Sequence, residues 1–255
     1  MCTLVLSRPE KRNMLTAGLL VEISEKMREF SQDDTIRTVI IRGAGDEAFC
    51  SGYDISALTE DPEGGTRDMA HGSNPFSPFE RAVESIINFP YPVIAMLNGY
   101  AFGGGCDLAL SCDLRIGADH ISMGMTPARI GMVYTPEGLN RFIRTIGLSR
   151  TKEMFLTGRT YEARRAREMG LIDYLVPGAE LEAFTYGLAE EIAGNAPLSL
   201  KGIKRILNLI LQQDQTTPEA RQESREILNL VLKSRDLGEG RTAFLEKRRP
   251  VFEGR

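Results

Sequence analysis

The sequence predicts an α/β fold: a mainly parallel sheet covered by helices through the first two-thirds of the chain, then a helical C-terminal third. Three observations predict it. Short apolar runs at 2–6, 38–41, 93–97 and 114–117 alternate with stretches of helical periodicity, as parallel strands joined by crossover helices require. From Thr135 onward the pattern turns mostly helical, with one strand-like run at 172–176. Finally, the apolar run Val93 to Leu97 leads into three successive glycines, Gly103-Gly104-Gly105, and then a helix, a corner around which the remainder can be organised.

Taken in order, Cys2 to Leu6 reads as a strand and 7–13, SRPEKRN, as a polar loop. Thr16 is a plausible N-cap, followed by Leu19, Leu20, Ile23, Met27 and Phe30 at helical spacing. Thr38 to Ile41 is a second strand, ending at Gly43-Ala44-Gly45-Asp46. The small-residue segment 49–55, FCSGYDI, reads as a tight turn able to present the Tyr53 N–H. Residues 59–77, rich in Pro, Gly and charge, read as a mobile loop beside the site. Phe79, Val83, Ile86 and Ile87 mark a helix leading into the strand at 93–97. Strands are expected at 114–117 and near 121–124, and helices at 137–146, 150–157, 161–169, 181–193, 199–212 and 218–233.

Composition excludes several classes of function. A chain of 255 residues, 42% of them hydrophobic, can bury one sizeable core. No run approaches the roughly 18 apolar residues that span a bilayer, and the opening residues are too short for a signal peptide, so a cytoplasmic protein without a membrane partner is expected. A net charge of −4 with interspersed signs offers no basic face for nucleic acid. The cysteines, Cys2, Cys50, Cys106 and Cys112, lack metal-ligand spacing, and three of them sit in apolar contexts. With only His71 and His120, and no G-x-S-x-G, a serine-type triad is hard to assemble. No metal, flavin or nicotinamide is implied, and the glycine cluster lacks the spacing of a dinucleotide fingerprint.

The glycine corner leaves two readings open. Backbone N–H groups at a helix start can hold an oxyanion, and the same glycines can serve packing alone. What tips the balance is a resemblance. The segments 8–13 (RPEKRN) and 49–55, Asn98-Gly99 with the three glycines, Cys112-Asp113-Leu114 and 244–248 (FLEKR) resemble, in this order, the signatures of the crotonase (enoyl-CoA hydratase/isomerase) superfamily. The resemblance implies a crotonase-like ββα spiral core, taken as 1–190, and a helical C-terminal trimerisation region, taken as 191–255, in a homotrimer or a dimer of trimers. It further implies an acyl-CoA thioester as substrate, with no cofactor beyond the coenzyme A that the substrate carries. The thioester oxygen would lie between the N–H groups of Tyr53 and Gly104. Arg8, Lys11, Arg12, Asp54 and Ile55, with Phe244 and Lys247, would hold the coenzyme A.

Hydratases of this family use two glutamates. Here the first position holds Asp107 and the second holds Pro127, which has neither an acid nor an N–H. The run 125–134, MTPARIGMVY, followed by Gly138 and Asn140, instead resembles the methylmalonyl-CoA decarboxylase branch, in which a tyrosine matching Tyr134 stands at the acyl end. Loss of carbon dioxide makes its own carbanion and needs no base. The main expectation is therefore decarboxylation of a methylmalonyl-CoA-like substrate, with Tyr134 orienting the carboxylate. The alternative is a hydratase or isomerase using Asp107 and Glu137. A crotonase-fold binding protein without catalysis is the expectation from a different class.

Overall fold

The computed structural model describes residues 1–54, 77–130, 134–212, 222, 226, 230, 234–236, 239, 243, 246, 248 and 250–255. Within these, Val39, Ile40 and Ile41 and all five residues of Val93–Leu97 are fully buried, so the central strands have apolar neighbours on both faces. They belong to a five-stranded parallel sheet ordered β1 (Cys2–Leu6), β2 (Val39–Gly43), β4 (Val93–Leu97), β6 (Leu114–Ala118) and β9 (Tyr174–Val176). A second sheet orders β3 (Ala48–Cys50), β5 (Tyr100–Phe102), β7 (Ser122–Gly124) and β8 (Thr160–Glu162). Only its last pair, β7 with β8, is antiparallel. The chain lays one strand in the first sheet and the next in the second, three times over, as a spiral.

The helices are α1 (Ala17–Ser31), α2 (Ser77–Ile87), α3 (Gly104–Leu110), α4 (Pro136–Ile146), α5 (Leu148–Thr157), α6 (Ala163–Met169), α7 (Leu181–Ala193) and α8 (Pro197–Gln212). Thr16 caps α1 as expected, its hydroxyl accepting the Leu19 N–H at 3.2 Å. Helix α1 packs on α2, while α7 lies against β4 and β6. Among the described residues no helix is long and apolar enough to cross a membrane.

The expectations of one sheet and of a plain turn at 49–55 need correction. The second sheet is built from three-residue strands, too short to show a period of two; β7 matches the strand expected near 121–124, whereas β3 and β8 overlap segments read as turn and helix. The loop expected at 59–77 and the helix at 218–233 fall largely or wholly outside the described residues, as do Ile55, His71, Phe244 and Lys247.

Candidate active site

Two neighbouring strands of the small sheet bring the chain to the same place. Cys50 of β3 pairs with Ala101 of β5, and three residues further along the chain from each, beyond the strand ends, come Tyr53 and Gly104. A Cβ on Gly104 would stand 3.4 Å from the Tyr53 nitrogen, and one on Gly52 would stand 3.6 Å from the Gly104 nitrogen. Leu15 orients Tyr53: its N–H donates to the Gly52 carbonyl at 2.8 Å, and its carbonyl accepts the Asp54 N–H at 2.9 Å. In such a parallel bridge Tyr53 turns its own N–H away from Leu15. Gly104 opens α3, so its N–H has no acceptor within the helix. Gly105 works differently. A Cβ there would lie 2.3 Å from the Cys50 carbonyl oxygen, so only glycine lets α3 press against β3. Phe79 and Leu15 line the approach, each 3.4 to 3.5 Å from the Cβ position of Gly104.

One helical turn beyond Gly104, Asp107 is fully buried. It is not a free acid. Arg141 grips it with both arms, Nε to Oδ1 and Nη2 to Oδ2, each at 2.8 Å. The Tyr134 hydroxyl donates to Oδ2 at 2.7 Å. Arg141 also reaches Glu80 at 3.1 and 3.3 Å, and Glu80 accepts from the Thr135 hydroxyl at 3.1 Å. Burial works against the Arg141 charge, but the bonds and charges of Asp107 and Glu80 outweigh it and raise its pKa. Burial, and then the Asp107 charge, push the Tyr134 hydroxyl well above the usual phenol value, so it stays protonated. Its single proton is committed to Asp107, leaving oxygen lone pairs able to accept from water or substrate.

Local chemistry explains these placements. Thr135 caps α4 by accepting the Gly138 N–H at 3.1 Å, and Pro136 takes the first helical position, where no N–H is needed. A Cβ on Gly138 would lie 2.2 Å from the Tyr134 ring, so this glycine gives the ring its seat. Phe155 packs on the other side, ring centroids 5.4 Å apart.

The remaining expected residues divide. The loop bearing Arg8, Lys11 and Arg12 is tied to the Tyr53 segment, the Ser51 N–H donating to the Arg12 carbonyl at 3.0 Å. Lys11 and Arg12 are exposed, and Arg12 pairs with Glu47 at 2.9 Å, a surface pair of small energy. Pro127 is buried in a short 3-10 turn, Pro127–Ile130. Glu137 is exposed on the first turn of α4 and borders the open groove beneath α8, so the expectation that it joins Tyr134 and Asp107 is corrected: its position on α4 turns it to solvent. Sequence reasoning missed Arg141, Glu80 and Thr135. An arginine and a glutamate on amphipathic helices look like any solvated charges, and nothing local signals that two residues 61 positions apart close into a bond.

The model of the family described as enoyl-CoA hydratase/isomerase matches residues 1–255. The carnitinyl-CoA dehydratase of Escherichia coli K12 is 35% identical over 261 residues, covering 99% of this chain and 94% of the relative. Among solved structures, an enoyl-CoA hydratase from Bacillus anthracis superposes with a TM-score of 0.88 at 34% identity, covering 99% of this chain and 95% of that one. An enoyl-CoA hydratase/carnitine racemase from Magnetospirillum magneticum gives a TM-score of 0.90 at 30% identity, with 99% and 92% covered.

Proposed function

The chain belongs to the enoyl-CoA hydratase/isomerase family of crotonase-fold acyl-CoA enzymes, and from that premise we propose that it catalyses proton transfer next to an acyl-CoA thioester carbonyl, in hydration, dehydration or isomerisation. One observation supports this reading: the Tyr53 and Gly104 backbones lie side by side, one helical turn from the hydrogen bond between Tyr134 and Asp107. The two amides would take the thioester oxygen as negative charge develops on it, each such donor contributing about 3 kcal/mol. Tyr134 and Asp107 would form a relay. In hydration the water oxygen bonds to the β-carbon while its proton passes to Tyr134, which hands its own proton to Asp107. The enolate α-carbon is then protonated as the relay returns its proton, and dehydration is the reverse. Arg8, Lys11 and Arg12, on the same side as Tyr53, would meet the coenzyme A phosphates.

Decarboxylation is the second reading. It is favoured by Pro127, which stands where the resemblance would place the second carboxylate, and by Arg141, which occupies both oxygens of Asp107. The names of the relatives, hydratase, dehydratase and racemase, favour the first reading instead. We also propose the homotrimer or dimer of trimers that the resemblance implies, since Ile203, Leu207, Ile210 and Leu211 expose an apolar face on α8; light scattering on the purified protein tests it.

The decisive experiment is to incubate the protein with crotonyl-CoA and, separately, with methylmalonyl-CoA, and follow the thioesters by mass spectrometry. Gain of water by crotonyl-CoA, lost on Tyr134→Phe or Asp107→Asn, is the expected result. Release of propionyl-CoA with crotonyl-CoA untouched would replace it with the second reading. Tight binding of both thioesters without turnover would leave a binding protein.

A further inference from the structure

Two carboxylates share one guanidinium at the acyl end of the site, and we infer that the site selects acyl groups by charge: it accepts neutral or cationic acyl chains and turns away those ending in a carboxylate, with Glu80 the residue that sets this selectivity. The inference rests on the acyl-CoA reading above.

The geometry is a charge count. Asp107 and Glu80 both bond Arg141, and among the described residues Arg141 is the only cation bonded to either of them. The other two partners, the hydroxyls of Tyr134 and Thr135, donate hydrogen bonds but bring no charge. The cluster therefore carries one formal negative charge in excess. It is held out of water: the side chain of Asp107 is 0% exposed, that of Arg141 14% and that of Glu80 19%. In such surroundings an uncompensated charge is felt several ångströms away. The other charges on the same two helices, Glu137 and Arg144 on α4 and Arg81 and Glu84 on α2, are exposed and sum to zero. The basic loop of Arg8, Lys11 and Arg12 is bonded to the chain before Tyr53, whereas the acidic cluster is anchored one turn past Gly104, so the two ends of a bound thioester meet opposite signs.

Glu80 is what makes the difference. Without it, Asp107 and Arg141 form a neutral pair. Phe79, its neighbour on α2, touches the approach to Gly104, which places the first turn of α2 beside the acyl path. Discrimination of this kind works by repulsion of the wrong ligand rather than by added attraction for the right one.

Calorimetric titration of the intact protein near neutral pH with three saturated thioesters tests it: butyryl-CoA, glutaryl-CoA and 4-trimethylammoniobutyryl-CoA. We expect glutaryl-CoA to bind about tenfold or more weakly than butyryl-CoA, and the cationic thioester at least as tightly as butyryl-CoA. Glu80→Gln should narrow the gap between butyryl-CoA and glutaryl-CoA to about threefold or less. Equal or tighter binding of glutaryl-CoA by the wild-type protein would overturn the inference while leaving the acyl-CoA reading standing. An unchanged gap in a folded Glu80→Gln protein would also overturn it. Should that variant fail to fold, the order of the three thioesters on the wild type decides. Binding of none of the three would overturn the acyl-CoA reading and this inference with it.

Discussion

The two halves of the candidate site are made of different material. The corner formed by Tyr53 and Gly104 is backbone, held by strand register and by glycines that let segments touch. The corner formed by Tyr134, Asp107, Arg141 and Glu80 is side chain, held by charge. A backbone corner depends on every residue that keeps the strands in place, but on the identity of few side chains. A charged corner depends on each partner individually, because removing one strands another in a place without water.

The difference predicts a hierarchy of effects. The largest belongs to Arg141→Met, which leaves Asp107 buried and without its cation. A loss of about 3–5 kcal/mol in folding stability is expected from chemical denaturation, and a smaller loss than Asp107→Ala would show that the pair is less buried in solution. Next comes Gly105→Ala. The added methyl group meets the Cys50 carbonyl at 2.3 Å, so α3 must move off β3, lowering stability by about 2–3 kcal/mol and abolishing turnover together. Turnover surviving the substitution would mean that the backbone corner tolerates displacement, which would dissolve the contrast. Tyr134→Phe removes one bond to Asp107 while Arg141 remains, for which about 1–2 kcal/mol in thermal unfolding is expected.

The smallest effect is chemical. Cys50 and Cys106 lie behind the backbone corner and Cys112 at the end of α3, all buried, and burial pushes the thiols of Cys50 and Cys112 up to about 12. Below that value these thiols stay neutral in the folded protein, whereas unfolded thiols ionise from about 9, so stability falls as pH rises from about 9 toward 12. At neutral pH iodoacetamide should modify Cys2 first, as read by peptide mass mapping. Rapid labelling of Cys50 would show that the backbone corner opens on the labelling timescale.

The contrast also explains what was legible in the sequence. Val93–Leu97 and Leu181–Ala193 were read to the residue because a buried strand and an amphipathic helix announce themselves by local pattern. Gly103, Gly104 and Gly105 were legible because a need for no side chain leaves a mark in the sequence itself. Of the second sheet only Ser122–Gly124 was legible, since Ala48–Cys50 and Thr160–Glu162 are shorter than the patterns that reveal strands. Asp107 and Tyr134 were named from resemblance, but their bond, spanning 27 residues, and the grip of Arg141, spanning 34, are products of the fold alone. Glu137 is a candidate in the sequence because it lies three residues past Tyr134, whereas Arg141, a turn further along α4, carries no local mark.

The pairing of β3 with β5 carries one more consequence. The strands that lead into Tyr53 and Gly104 pair in parallel, so the separation of β3 from β5 is inherited from the pitch of a sheet, about 4.8 Å. That pitch is a constant of polypeptide chemistry, set by the length of an N–H···O bond, and no single substitution can retune it. The two strands therefore deliver the Tyr53 and Gly104 segments to one corner at a spacing that the backbone sets. The side chains around that corner can change, and with them the chemistry, while the strand spacing stays as it is.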